Sequence, residues 1–430
     1  MKKADLVSSL VTFIVAVPLS LGIALASGAS PAAGLLASIV GGIVVGMISG
    51  APLMVSGPAA GLTVLVFEVI QTHGLRGLMV TTLLSGLFQI FFGVFRLGRI
   101  FEWIPKGVLN GMLGAIGLVI VLAQLHVIFG AVVPKNPLEA IQNLGQSISG
   151  LWGENWRIVL GTFVCGSLAI LIQLFWPKLI PRLKWLPGAL PAVFFSTLVG
   201  LFLEMQRVEL QPIGEFVEAS LATWTGFSLE EGVSVAFLLS ALGLAVVGSA
   251  ESMLTARAIG LISHKEAAKP KLNQELIAQG VGNVASGAIG GIPITGVIVR
   301  SAANVSFGAE TRWASVFHGV WIAVFVFFFP EILRSIPLSA LAAVLIVTGI
   351  KLLNIKTLIQ TMRKSPLEGV YWMMTLVLII TTNLLSGLLV SLCFVMLSRL
   401  YLRYFSSSSE RVIRDEKESD YKIASDRAVS

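Results

Sequence analysis

Two apolar stretches broken by glycine and proline carry the chemistry that this chain offers. One is Val55-Ser56-Gly57-Pro58-Ala59-Ala60-Gly61; the other is Gly290-Gly291-Ile292-Pro293-Ile294-Thr295-Gly296. They hold comparable places in the two halves of the chain. Proline lacks a backbone donor and disfavours helix at the residue before it. The sequence therefore predicts that helix restarts just after Pro58 and just after Pro293, halfway through a membrane. The first turn of a helix has N–H groups without intrahelical partners and roughly half a unit of positive charge. Two such ends facing each other make an anion site out of backbone. Its candidate residues are Ser56, Gly57, Pro58, Ala59 and Ala60 on one side, with Pro293, Ile294, Thr295 and Gly296 on the other. Either stretch alone reads equally well as a kinked ordinary helix; the matched pair is what points to binding.

Arg300 lies seven residues after Pro293. A charge inside a span is expensive and faces a cavity or a partner, so Arg300 is expected to face the site and balance an anion or a carboxylate. The plainer reading is snorkelling to an interface, which its distance from the turn near Ala309 disfavours. Glu251, in Val247-Gly248-Ser249-Ala250-Glu251-Ser252, is the expected coupling residue: a partner for Arg300, or the carrier of a proton or sodium ion. Its alternative is a solvated helix end near Arg257. Asn273, Gln279 and Asn283 recur at helical spacing and read as glue between helices, as do Gln89, Asn110 and Gln124. Glu68 reads as interfacial and His318 as a packed histidine. No nucleotide-binding loop, metal-ligand cluster or catalytic triad spacing is present in the sequence, so neither an enzyme nor a cofactor is expected.

The elements that must position these residues follow from composition. The chain is 55% hydrophobic and 12% charged, with mean hydropathy +0.88, where a soluble domain carries about a quarter charged residues. This is an all-α polytopic membrane protein whose first partner is the lipid bilayer. The net charge of +7 is read as basic loops, not as a nucleic-acid surface. Cys165 and Cys393 lie in apolar runs and read as unpaired. The apolar run after Met1-Lys2-Lys3 outlasts a cleavable signal, although Ala24–Ala26 mimics a cleavage site.

Helices are expected near 6–27, 31–49, 55–71, 77–96, 106–128, 156–176, 187–204, 230–254, 272–289, 293–305, 312–330, 338–353, 366–382 and 385–404, fourteen segments with the third and tenth as half-helices. With the N-terminus in the cytoplasm, Arg96, Arg99, Lys178, Arg182, Arg257, Lys265, Lys351, Arg363, Arg399 and their neighbours fall inside, while the acid-rich 205–229 region falls outside. That region divides the chain into two sets of seven. Seven is odd, so the second set is inserted upside down: an inverted repeat. The expected organisation is a first repeat 1–204 (core 1–100, gate 101–204), a connector 205–229, a second repeat 230–405 (core 230–330, gate 331–405) and a short disordered cytoplasmic tail 406–430.

At these residues the chain resembles the SulP family of anion transporters, bacterial relatives of solute carrier family 26. The resemblance runs from about residue 5 to 404. Its specific stretches are Val17-Pro18-Leu19-Ser20-Leu21-Gly22-Ile23-Ala24 with Ser27-Gly28, then Ser56-Gly57-Pro58, and Gly282-Asn283 through Gly290–Gly296 to Arg300-Ser301-Ala302. It implies a seven-plus-seven fold in which a core moves against a gate and carries an anion held between the third and tenth segments. It also implies Arg300 as the basic site residue and Glu251 as the acidic one. Two departures stand out. Leu19 occupies a place where many members have Gln, and the chain stops after a tail of about twenty-five residues where many carry a cytoplasmic STAS domain. The expected function is secondary active transport of sulfate, bicarbonate or a dicarboxylate, coupled to protons or sodium, in the bacterial inner membrane with both termini cytoplasmic. A homodimer through the gate is a further expectation. The rival readings are a nucleobase transporter of related fold and an anion channel.

Overall fold

The computed structural model describes residues 2–102, 104–134, 137–153, 155–181, 186–203, 205–226, 235–263, 270–382, 384 and 386–400. The expected tail 406–430 lies outside these residues. The chain is helical almost throughout. In order it forms α1 (Lys3–Ala26), α2 (Pro31–Ile48), a strand β1 (Ser56–Pro58), α3 (Thr63–Val94), α4 (Lys106–Ile128), α5 (Pro137–Ser149), α6 (Trp156–Leu179), α7 (Ala189–Gly200) and α8 (Ile213–Ala222). The second half gives α9 (Val235–Ser263), α10 (Leu272–Ala288), β2 (Ile294–Gly296), α11 (Ile298–Ser306), α12 (Trp313–Phe328), α13 (Pro330–Arg334), α14 (Leu338–Leu353), α15 (Ile355–Lys364), α16 (Pro366–Thr381) and α17 (Ser386–Leu400). Among the described residues, seven helical runs are long and apolar enough to cross a membrane, and four shorter helices are also apolar.

The order helix, helix, strand, helix occurs in α1–α2–β1–α3 and again in α9–α10–β2–α11. β1 and β2 pair antiparallel, Ser56 opposite Gly296, Gly57 opposite Thr295 and Pro58 opposite Ile294. Antiparallel pairing is what two copies of one unit inserted in opposite senses require. Apart from an isolated bridge between Arg207 and Pro337, this ribbon is the departure from all-α architecture among the described residues, and it corrects the expected helix starts. Helix does not resume directly after the prolines. Ala59 is extended and a 3-10 turn over Ala60–Leu62 precedes α3. On the other side Val297 is extended and α11 begins at Ile298. The physical reason is pairing. Extended backbone in the membrane interior needs hydrogen-bond partners, and each stretch finds them partly in the other and partly in side chains around the ribbon.

The expected helices 55–71 and 77–96 run together as α3, broken at Gly74 (φ 67°, ψ −173°), a conformation open essentially to glycine alone. Thr63–His73 is therefore the half-helix. At 1.5 Å per residue it and the nine-residue α11 are each about half the thickness of a bilayer core. Three amphipathic helices, α5, α8 and α15, fall between the expected spans; a search for apolar runs passes over them.

By internal packing the chain forms two compact units. One comprises Met1–Trp103 with Leu113–Ile355, and the other Ile104–Met112 with Lys356 onward. In the larger unit α3 and α10 cross at small residues: a Cβ on Gly86 would meet the Gly280 carbonyl at 2.5 Å, and one on Gly280 would meet the Gly86 carbonyl at 2.6 Å. Such close backbone approach is how helices associate without a hydrophobic driving force. α2 contains a π-helical turn at Gly41–Val45. There a Cβ on Gly41 would lie 2.5 Å from the Ser56 carbonyl, and one on Gly42 2.6 Å from Gly319 Cα. The glycines thus let the ribbon and α12 press directly on α2. In the smaller unit the Gly107 N–H donates to Glu368 (2.5 Å) and Tyr371 bonds Ser398 (2.6 Å).

Candidate functional site

The ribbon is held by a line of polar side chains on α10. Glu275, Gln279, Asn283 and Ser286 are all fully buried, and their spacing places them on one helical face. Asn283 clamps β2 from both sides: its Nδ2 donates to the Ile294 carbonyl (2.9 Å), and its Oδ1 accepts from the Ile294 N–H (2.6 Å). The same amide donates to Gln89 of α3 (2.7 Å). Gln279 donates to Ser56 Oγ (2.7 Å) and to Glu275 (2.7 Å). Glu275 also accepts from Ser49 Oγ (2.6 Å) and the Ala51 N–H (3.0 Å). Ser286 donates to the Ile292 carbonyl (2.8 Å). Sequence reasoning read Gln279 and Asn283 as glue between helices. Asn283 does join α10 to α3, but the larger task of both is to hold a strand where water cannot.

Two further serines complete the frame. Ser252 Oγ on α9 accepts from the Gly296 N–H (3.0 Å). Ser301 Oγ on α11 accepts from the Val55 N–H (2.9 Å). The half-helices then leave opposite ends of the ribbon, because Pro58 lies beside Ile294 and Gly296 beside Ser56. Neither start has a capping side chain: Ala59 and Leu62 before α3 and Val297 before α11 make no side-chain cap. On the α3 side the Leu62 and Thr63 N–H groups are taken up by the Ala59 and Ala60 carbonyls, so the N–H groups facing the space in front are those of Ala60 and Gly61 and, at α11, of Ile298–Arg300. Ser56, Gly57, Pro58, Ala59, Pro293, Ile294, Thr295 and Gly296 are buried, Ala60 is partly accessible, and Ile298 and Val299 are exposed.

Arg300 sits in the first turn of α11, not two turns in, because the helix starts late. It is fully buried. Its guanidinium passes over Gly57, where a Cβ would lie 2.3 Å from Nη1, and donates to Ser38 Oγ (2.9 Å) and Ser20 Oγ (3.0 Å). Those hydroxyls bond each other (2.6 Å). Arg300 Nε has no partner. Ser20 belongs to the Val17–Ala24 stretch and Ser38 to α2, but neither is a candidate site residue from the sequence alone. The signal that could have found Ser20 is its place two residues after Pro18 in an apolar helix.

Glu251 occupies the other side. A Cβ on Gly61 would come 2.5 Å from its Oε2, and the carboxyl faces the Thr295 hydroxyl without closing a hydrogen bond, so Oε2 and Thr295 Oγ1 both remain unpartnered. No ion pair joins Glu251 to Arg300: the acid and the base stand apart, one beside each half-helix. His318 is fully buried with both ring nitrogens unpartnered, next to Gly42. Glu68 is exposed on the half-helix of α3.

Two uncapped half-helices tied by an antiparallel ribbon, with a buried guanidinium behind them and a carboxyl beside them, make an arrangement chemically suited to an anion inside a multi-pass helical protein. The chain belongs to the sulfate permease family, whose profile matches residues 3–375. It is 27% identical over 385 residues to the Bacillus subtilis (strain 168) protein YvdB, covering 89% of this chain and 71% of that one. It is 25% identical over 375 residues to the bicarbonate transporter BicA of Picosynechococcus, covering 85% of this chain and 64% of that protein. In three dimensions it is similar to the transmembrane domain of a cyanobacterial bicarbonate transporter BicA, with TM-score 0.75, 22% identity, and coverage of 90% of this chain and 97% of that one.

Proposed function

We propose that this protein is a secondary active transporter of a small oxyanion, sulfate or bicarbonate, with a small dicarboxylate as the third candidate. One observation carries the reading: two half-helices begin at opposite ends of one ribbon with no side chain capping either, and Arg300 at their junction is bonded to hydroxyls and to no carboxylate. The anion is held by the N–H groups of Ala60 and Gly61 and of Ile298–Arg300. Arg300 adds a positive potential from behind the ribbon, where low polarity lets a charge act at longer range. Ser56, Gly57, Pro58, Ala59, Pro293, Ile294, Thr295 and Gly296 shape the cradle. Glu251, with an unpartnered carboxyl oxygen, takes the coupling proton or sodium ion. The names of the relatives support this substrate class. The core (1–100 and 230–330) then moves against the gate (101–204 and 331–405), carrying the site across the bacterial inner membrane with both termini in the cytoplasm.

The test is uptake of labelled sulfate and bicarbonate into proteoliposomes, with sodium and proton gradients imposed separately. Saturable uptake and counterflow are expected from wild type, with Arg300→Ala at least tenfold slower. Undiminished uptake by Arg300→Ala sinks the anion site. Competition by uracil but not by sulfate points to a nucleobase carrier, and unsaturable conductance in a planar bilayer points to a channel.

A further inference from the structure

One cavity in the larger unit lies outside the site just described. It has a volume of about 60 Å³ and sits between the end of α1 at Ala26, the first turns of α3 at Thr63 and Phe67, and the later turns of α4 at Ala123 and Gln124, with Pro134 closing it. Its other lining side chains are apolar, so Thr63 and Gln124 are its polar groups. Both are nearly inaccessible, 5% and 4% exposed. Thr63 Oγ1 and Gln124 Nε2 have no hydrogen-bond partner. An amide nitrogen can only donate and a hydroxyl can do so, so the occupant these groups call for is an acceptor. A site for a cation would present oxygens. A space of this size exceeds the 10–15 Å³ that one water needs by several fold, enough for an ion of four or five heavy atoms. A wider chamber of about 530 Å³, lined by Glu139, Asn143 and Gln146, shares Val133 and Pro134 with this cavity. Thr63 in turn is the first residue of α3, two places after the Gly61 that packs on Glu251.

We propose that this cavity is a way station for the transported oxyanion, in which Gln124 Nε2 and Thr63 Oγ1 hold it between the wide chamber and the half-helix starts. The proposal rests on the reading of the protein as an anion carrier. Two neutral donors suit a transit point. They replace part of the ion's hydration yet add no charge that would trap it, and passage requires binding weak enough to leave. Gln124 thereby becomes a selecting residue on α4, away from the half-helices.

The experiment places a cysteine in the cavity wall, Ala123→Cys, on a Cys393→Ser background, and follows its modification by a negatively charged methanethiosulfonate reagent in the full chain. Sulfate or bicarbonate at uptake-saturating concentration is expected to slow labelling at least threefold. That protection should vanish on adding Thr63→Val and Gln124→Leu, and should persist with Arg300→Lys or Arg300→Ala, whichever variant remains monodisperse. In uptake, Gln124→Leu should raise KM three- to tenfold with the maximal rate within twofold of wild type. No protection by either anion means that the cavity holds water only and overturns the proposal. Protection lost with the Arg300 variants but kept in Thr63→Val/Gln124→Leu means that the anion is felt only at the half-helices and overturns it equally. If wild type carries neither anion, the transport reading falls, while the labelling still decides the cavity.

Discussion

Arg300 carries a guanidinium into a fully buried place, where an isolated charge costs several kcal/mol even after relaxation. Two serine hydroxyls and the absence of a side chain on Gly57 make the place tolerable. Gly57→Ala puts a carbon 2.3 Å from Nη1 and pushes the guanidinium off both serines. The expected outcome is at least a tenfold loss of uptake, with a lower melting temperature in detergent. Ser38→Ala removes one acceptor and costs about 1–3 kcal/mol, read as a smaller drop in the same melting curve. Gly61→Ala crowds Glu251 instead, since its Cβ would lie 2.5 Å from Oε2. It should change the dependence of uptake on the sodium or proton gradient more than the KM for the anion. Arg300 and Glu251 were legible in the sequence because a charge in an apolar run stands out. Ser20 and Ser38 were not, because a serine in a membrane helix is ordinary and only the fold brings these two under one guanidinium.

Among the elements, the ribbon shows what periodicity conveys and what it hides. The Gly/Pro breaks located the interruption in both halves. They did not show that extended backbone continues past each proline, because pairing between strands so distant in sequence leaves no local trace. Asn283 supplies two of the hydrogen bonds that fix β2, so Asn283→Leu leaves the Ile294 N–H and carbonyl facing a hydrocarbon side chain. A loss of about 2–6 kcal/mol is expected, at about 1–3 kcal/mol for each of the two abandoned buried groups, visible as earlier unfolding and as uptake at a fraction of wild type. Gly74 is a gentler case. A Cβ there meets nothing within 4 Å, so Gly74→Ala carries only the cost of its backbone conformation, about 1–3 kcal/mol. The expected result is a modestly lower melting temperature with KM unchanged.

For the molecule as a whole, composition gave the membrane class, and the opposite insertion of the two halves is what the parity of seven segments in each predicts. The amphipathic α5, α8 and α15 escape notice because polar residues recur through each and no long apolar run announces them. The distribution of Lys and Arg predicts sidedness, which labelling can check on a Cys393→Ser background. Val132→Cys, at a position 90% exposed after α4, should react with an impermeant maleimide in intact cells. Lys364→Cys, at the end of α15, should react only after permeabilisation. The reverse pattern would invert the proposed topology. The β1–β2 pairing also bears on biogenesis. While the ribosome is still making the second half, Ser56–Pro58 has no mate, and its bare amides and carbonyls sit in lipid or against a chaperone. The newborn N-terminal half is therefore an incomplete object that only the late arrival of Ile294–Gly296 can seal. Co-expressed as two fragments cut in the connector, the halves should rescue one another from degradation.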